Sequence, residues 1–101
     1  MKMLMCIASN SVMNDLVHLF ESQKLNNFHV LRDVTGRMLN CDLRMNTAVY
    51  PGYHAAVFSL IKEEAKISAV LESIREYNRS IKTANDKIHA LTWRIEEWIY
   101  D

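Results

Sequence analysis

The chain has 101 residues, with 12 basic and 12 acidic side chains, so its formal charge is zero with histidine neutral. No surplus charge is left for a polyanion or an anionic bilayer, which sets nucleic acid and lipid surfaces aside as partners. Half of the residues are apolar, with only two glycines and one proline, which excludes a disordered or low-complexity chain.

The length suits one domain, residues 1–101, that buries roughly 60–65% of the surface its unfolded form exposes. A core that small favours further burial through oligomerisation. Cys6 and Cys41 lie far apart, and the opening MKMLMCIASN holds six apolar residues in a row, Met3 to Ala8. Such a run is too short for a signal peptide's apolar region or a membrane span. The expectation is a soluble, cytoplasmic protein with free thiols.

In chain order, residues 2–8 are apolar on both alternations, which places this strand in the middle of a sheet covered on both faces. Ser9, Asn10 and Ser11 offer N-cap chemistry to a helix of about three turns within residues 11–25. Asn26 and Asn27 stop that helix. A second strand spans Phe28 to Val34, with Phe28, Val30, Arg32 and Val34 on one face. The stretch TGRMLNCDLRMNT lacks periodicity, and connections of its length are often functional. Pro51-Gly52 interrupts the next apolar segment, so its first part is an edge or a bulge. His54 to Ile61 reads as another central strand.

Residues 62–80 give the clearest helix, with Ile67, Val70, Leu71, Ile74, Tyr77 and Ile81 at the spacing of one buried face. Glu63–Lys66, Glu72–Arg75 and Glu76–Arg79 are spaced as i, i+3 ion pairs on the solvated side. Thr83-Ala84-Asn85-Asp86 is a turn, and Lys87 to Trp93 is the last strand. The order is βαββαβ, the ferredoxin-like α+β plan: a four-stranded antiparallel sheet with two helices on one face. The helices leave the second sheet face bare, although the central strands are apolar there too. Packing between identical subunits is the simplest cover.

Several chemistries lack their residues. No CxxC follows the first strand, and Walker A, GxGxxG and RNP-type aromatic strands are absent. His18, His29, His54 and His89 form no local chelate, although His54 and Cys41 both flank the middle connection. A metal site built on those two would need ligands from a neighbouring subunit. Trp93, Trp98 and Tyr100 read as core or interface packing, with an aromatic surface for a partner or a base as the alternative. Arg37, Arg44, Lys82 and Lys87 are cations outside the helix pairs, placed where a phosphate could be held.

The element order, the long middle connection and the block ANDKIHALTWRIEEWI resemble the PII signal-transduction superfamily. In that family a Gly- and Asp-rich turn leads into a Lys-Ile strand and then a Glu-Glu pair. Asp86-Lys87-Ile88 and Glu96-Glu97 match in order and spacing, and YPGYHAAVFSLIKEE resembles the third strand and helix entry. The turn here carries no glycine, and Thr92 and Trp93 stand where prolines follow the last strand, which describes a divergent PII-like sensor.

The resemblance implies a non-enzymatic homotrimer that binds an adenine nucleotide or other small effector between subunits. Residues 36–47 would be the T-loop, docking through Gly36, Met38, Leu39, Asn40 and Cys41 onto a partner such as a membrane transporter or regulator. Lys87 matches the phosphate-contacting lysine, with Arg37 and Arg44 available to an anion; no metal ligands are implied. Two alternatives stay open. One is a divalent-metal-binding trimer resembling the cation-tolerance family, using Cys41 or His54. The other is a small dimeric α/β-barrel enzyme.

Overall fold

The computed structural model describes residues 1–100. Its elements are β1 (Lys2–Ser9), α1 (Met13–Ser22), β2 (His29–Val34), β3 (His54–Ile61), α2 (Glu64–Arg79) and β4 (His89–Arg94). The strands form one antiparallel sheet in the order β2-β3-β1-β4, the ferredoxin-like arrangement. The two strands that are apolar on both alternations, β1 and β3, are the central pair. No helix among the described residues is long and apolar enough to cross a membrane.

Register assigns the faces. Leu4 lies opposite Ser59, Cys6 opposite Val57 and Ala8 opposite Ala55, and these rows are buried beneath the helices. Val12, Leu16 and Phe20 from the first helical segment and Ile67, Val70 and Ile74 from α2 complete the core. Each large apolar side chain buried there contributes about 1.5–3 kcal/mol. Phe20 meets the half-buried Phe28 edge-on, with centroids 6.0 Å apart.

The first helix starts and stops differently from the sequence expectation, whereas α2 falls within the expected 62–80. Ser9 remains paired in β1 opposite His54, and its hydroxyl is shared with that of Ser11 at 3.0 Å. With those hydroxyls engaged, the chain enters α1 through a 3-10 turn at Asn10–Val12 that has no side-chain cap. At the other end Lys24, not an asparagine, adopts the left-handed conformation at φ 56°. Leu25 N–H bonds the Phe20 carbonyl and Lys24 N–H the Glu21 carbonyl, a Schellman stop in which Leu25 folds back onto the core.

Lys66 does not pair with Glu63. Its ammonium donates to the Gln23 carbonyl at 3.0 Å, neutralising the C-terminal end of α1. Arg75 and Arg79 do pair with Glu72 and Glu76, and Arg79 also reaches Glu72.

A bulge changes β2. Leu31 pairs with Ala56 but Val34 pairs with His54, so Arg32 and Asp33 together face a single residue, and Asp33 sits at φ 58°. The extra residue reverses the alternation. Val30 faces the helices opposite Val57, whereas Val34 joins the opposite face, contrary to the expectation that they share one.

Candidate functional site

The second sheet face is the first unusual surface. Met3, Met5 and Ile7 of β1 alternate with the core rows and lie beside Leu60, Phe58 and Ala56 of β3. Leu31 on one edge strand and Leu91 and Trp93 on the other extend the patch, at 49%, 45% and 44% exposure. Apolar patches of this kind mark interaction surfaces. Both ends of the same face carry hollows or buried polar groups.

At the end where β3 begins, His54 is buried, and burial together with the charges of Arg44 and His89 holds its imidazole below the ordinary histidine value. The middle connection that borders it is organised rather than irregular. Gly36 and Arg44 exchange two backbone hydrogen bonds at 2.9 Å, closing residues 37–43 into a small lobe. A second lobe follows, closed by Asn46 N–H on the Gly52 carbonyl and by Met45 and Thr47 N–H on the Tyr50 carbonyl. Asn40 and Asn46 take positive φ in these turns, which asparagine tolerates. Tyr53 anchors the connection: its hydroxyl accepts from Asn46 Nδ2 at 2.9 Å and its carbonyl from Asn10 N–H at 3.0 Å.

Arg37 and Arg44 line one polar hollow of ≈ 550 Å³ together with Cys41, Asp42, Leu43, Val49, Tyr50 and Pro51. Arg44 Nε is buried there without a hydrogen-bond partner. Gly52 makes room for it: a Cβ at that position would stand 3.2 Å from Arg44 Nη1, and the residue's φ of 83° is itself a glycine conformation. Lys87 is exposed and does not line this hollow, so the three cations do not share it. Of the loop residues, Leu39 is 81% exposed at the tip, and Met38 and Cys41 are half-buried.

The lobe rests on the turn that precedes β4. Asp42 N–H donates to Asn85 Oδ1 at 2.8 Å, and Asn85 Nδ2 returns a bond to Asp42 Oδ2 at 2.8 Å. The Cys41 thiol donates to the Ala84 carbonyl at 3.4 Å and lies 3.6 Å from His89 Nε2. Thr83 Oγ1 donates to Asp86 across the same turn, beside the backbone bonds from Asp86 N–H to the Thr83 carbonyl and from Lys87 N–H to the Ala84 carbonyl. Among the described residues no group of three or more His, Cys, Asp or Glu is placed to hold a metal ion. Cys6 and Cys41 are both free, and burial pushes the Cys6 thiol up to about 12.

At the opposite end of the open face lies a larger, mainly apolar cleft of ≈ 720 Å³, bordered by Met3, His29, Phe58, Leu60, Lys62 and Trp98. Trp98 stacks on Tyr100 with centroids 4.8 Å apart, and the Lys62 ammonium sits 4.9 Å from the Trp98 ring. Sequence reading did not single out this cleft. Its one signal was the aromatic pair of the tail.

No protein-family model and no curated protein matches the chain. Solved structures do. CPII of Thiomonas intermedia K12, in its complex with ADP and bicarbonate, superposes with a TM-score of 0.67 at 8% identity, over 95% of this chain and 88% of that one. A PII-like signalling protein from Thermus thermophilus superposes at 0.63 with 12% identity, over 91% of this chain and 82% of that one. The apo form of CPII gives 0.58 at 9% identity, over 93% and 89%. The chain has the PII-like fold. At such identities the likeness carries the backbone plan, and the chemistry of the PII-like fold in this chain must be argued from its own side chains.

Proposed function

We propose that this protein is a non-enzymatic PII-like regulator. It assembles as a homotrimer, binds a small effector of the adenine-nucleotide class in clefts between subunits, and signals through residues 36–47 to a protein partner such as a membrane transporter. The observation that carries this reading is the apolar open face of a PII-like sheet. One chain leaves Leu91 and Trp93 exposed and Met3, Met5 and Phe58 only half-buried, and packing against sister sheets would bury them.

The effector class follows from the two ends of that face. The aromatic cleft by Trp98 suits a flat heterocycle, and the hollow of Arg37 and Arg44 at the other end, with Lys87 exposed outside it, suits an anionic group. The β1 strand between them runs for eight residues, about 26 Å. A nucleotide that used both ends would therefore bridge two subunits rather than lie along one. CPII has been crystallised with ADP, AMP and bicarbonate, which supports this class of effector.

The test is thermal unfolding against ADP, AMP, ATP, cyclic AMP, bicarbonate, zinc and copper, with subunit number from sedimentation equilibrium. A nucleotide at 100 times its Kd should stabilise by about 2.7 kcal/mol, raising Tm by roughly 10 °C or more. Lys87→Ala should weaken that shift and leave the trimer intact. A monomer, or a trimer that responds to none of the nucleotides, would overturn the proposal. A response confined to zinc or copper would move the protein to the metal-binding alternative.

A further inference from the structure

We propose that Asp42 and Asn85 form a latch that holds the loop lobe closed on the turn before β4, so that Cys41 at the base of the loop's docking surface is engaged within the chain until the latch opens. For its consequence in signalling this rests on the regulatory reading above; the latch itself does not. The two residues exchange a reciprocal pair of 2.8 Å hydrogen bonds across 43 positions of sequence. Cys41 adds its contacts with the Ala84 carbonyl and His89, so adjoining residues of the lobe, Cys41 and Asp42, make its hydrogen bonds to the turn and the start of β4.

The geometry separates hinge from clasp. The two backbone bonds between Gly36 and Arg44 close the base of the lobe, and they need not break when residues 37–43 swing away. What opening does break are side-chain bonds at positions that are exposed, as at Asp42, or half-buried, as at Asn85 and Cys41. Water replaces such bonds in part, so opening costs far less than unfolding, which is the requirement for an element that opens while the core stays folded. The tip beyond the clasp presents Leu39, an apolar side chain 81% exposed, as a partner contact would. The turn that holds the clasp also leads to Lys87, so a ligand that shifts this turn changes the closed and open populations directly.

Trypsin provides the test on the full chain without any ligand, because Arg37 stands at the start of the lobe. When opening is fast relative to cleavage, the cleavage rate reports the open population. Asn85→Ala removes both reciprocal bonds and should speed cleavage after Arg37 about tenfold. Asp42→Ala, which keeps the backbone donor, should fall between that variant and the parent. Thr83→Ala, in the same turn but outside the clasp, should stay within about twofold of the parent. Cleavage after Arg75 and Arg79 in α2 reports global unfolding and should stay far slower than cleavage after Arg37 in every variant. Equal rates after Arg37 in the parent, Asn85→Ala and Asp42→Ala would overturn the latch, as would cleavage after Arg37 no faster than in α2. A protein that binds no nucleotide can still show the latch, so the two proposals fail separately.

Discussion

Asn78 offers the sharpest test of how α2 positions the last strand. Its side chain donates from Nδ2 to the Ile88 carbonyl and accepts from Ile88 N–H, both at 2.8 Å, in the manner of a neighbouring strand. Ile88 is only 3% exposed, so its peptide groups have little access to water as replacement partners. Asn78→Ala removes two bonds worth about 0.5–1.5 kcal/mol each and leaves a donor and an acceptor poorly satisfied. The expected loss is about 2–3 kcal/mol, or roughly 10–20 °C in Tm for a domain of this size. Asn78→Asp keeps the acceptor for Ile88 N–H but sets a carboxylate against the Ile88 carbonyl, and should be destabilised as well. Urea unfolding followed by far-ultraviolet circular dichroism, at one fixed protein concentration, measures both. A loss below about 0.5 kcal/mol for Asn78→Ala would refute the claim that this side chain stands in for a strand.

Two further outcomes concern titratable groups. Burial and the neighbouring Arg44 and His89 hold the His54 imidazole below its ordinary value, so the unfolded chain binds that proton more readily than the folded one. Stability should therefore fall as pH drops from 8 through the ordinary histidine range, and this slope should flatten in His54→Gln; a variant with the parent's pH slope would remove His54 as its source. Burial also raises the Cys6 thiol to about 12. An aromatic disulfide reagent at pH 8 should react in the native protein with Cys41 alone, and with Cys6 only after denaturation. Two thiols reacting together in the native state would contradict the packing of Cys6.

The plan of the fold was legible because each element carries its period: two-sided apolar strands at β1 and β3, and the Ile67–Val70–Ile74 stripe of α2. What escaped reading is where local geometry departs from period. The bulge at Arg32–Asp33 leaves the composition of β2 unchanged while reversing the face of Val34. The end of α1 was misplaced because Lys24 occupies a left-handed position usually read from glycine or asparagine, although Leu25 as the apolar residue after it was a usable signal. Arg37 and Arg44 line one hollow because a short pinch closes between Gly36 and Arg44, which the period-free sequence of this stretch does not show. Asp42 and Asn85, Cys41 and His89, and Trp98 with the far end of the sheet are brought together by topology alone. No spacing in the chain announces them.

The end of the sheet that carries the loop also explains why Asn78 belongs to the functional argument. β2 ends there, β3 begins there and β4 begins there, so the lobe, the turn before β4 and the buried His54 converge beside the buried Ala8, Ala55 and Ile88. A turn built as Thr83-Ala84-Asn85-Asp86 has no sheet partners of its own. It gains its position from its own backbone bonds, Asp86 N–H to the Thr83 carbonyl and Lys87 N–H to the Ala84 carbonyl, and from Ile88 clasped by Asn78. Asn85 can hold Asp42 only while that turn is held, which makes α2 the rigid support of the latch. The coupling needs no extended pathway: it runs from Asn78 through Ile88 to the turn and its clasp, each step a hydrogen bond or a stretch of a few residues.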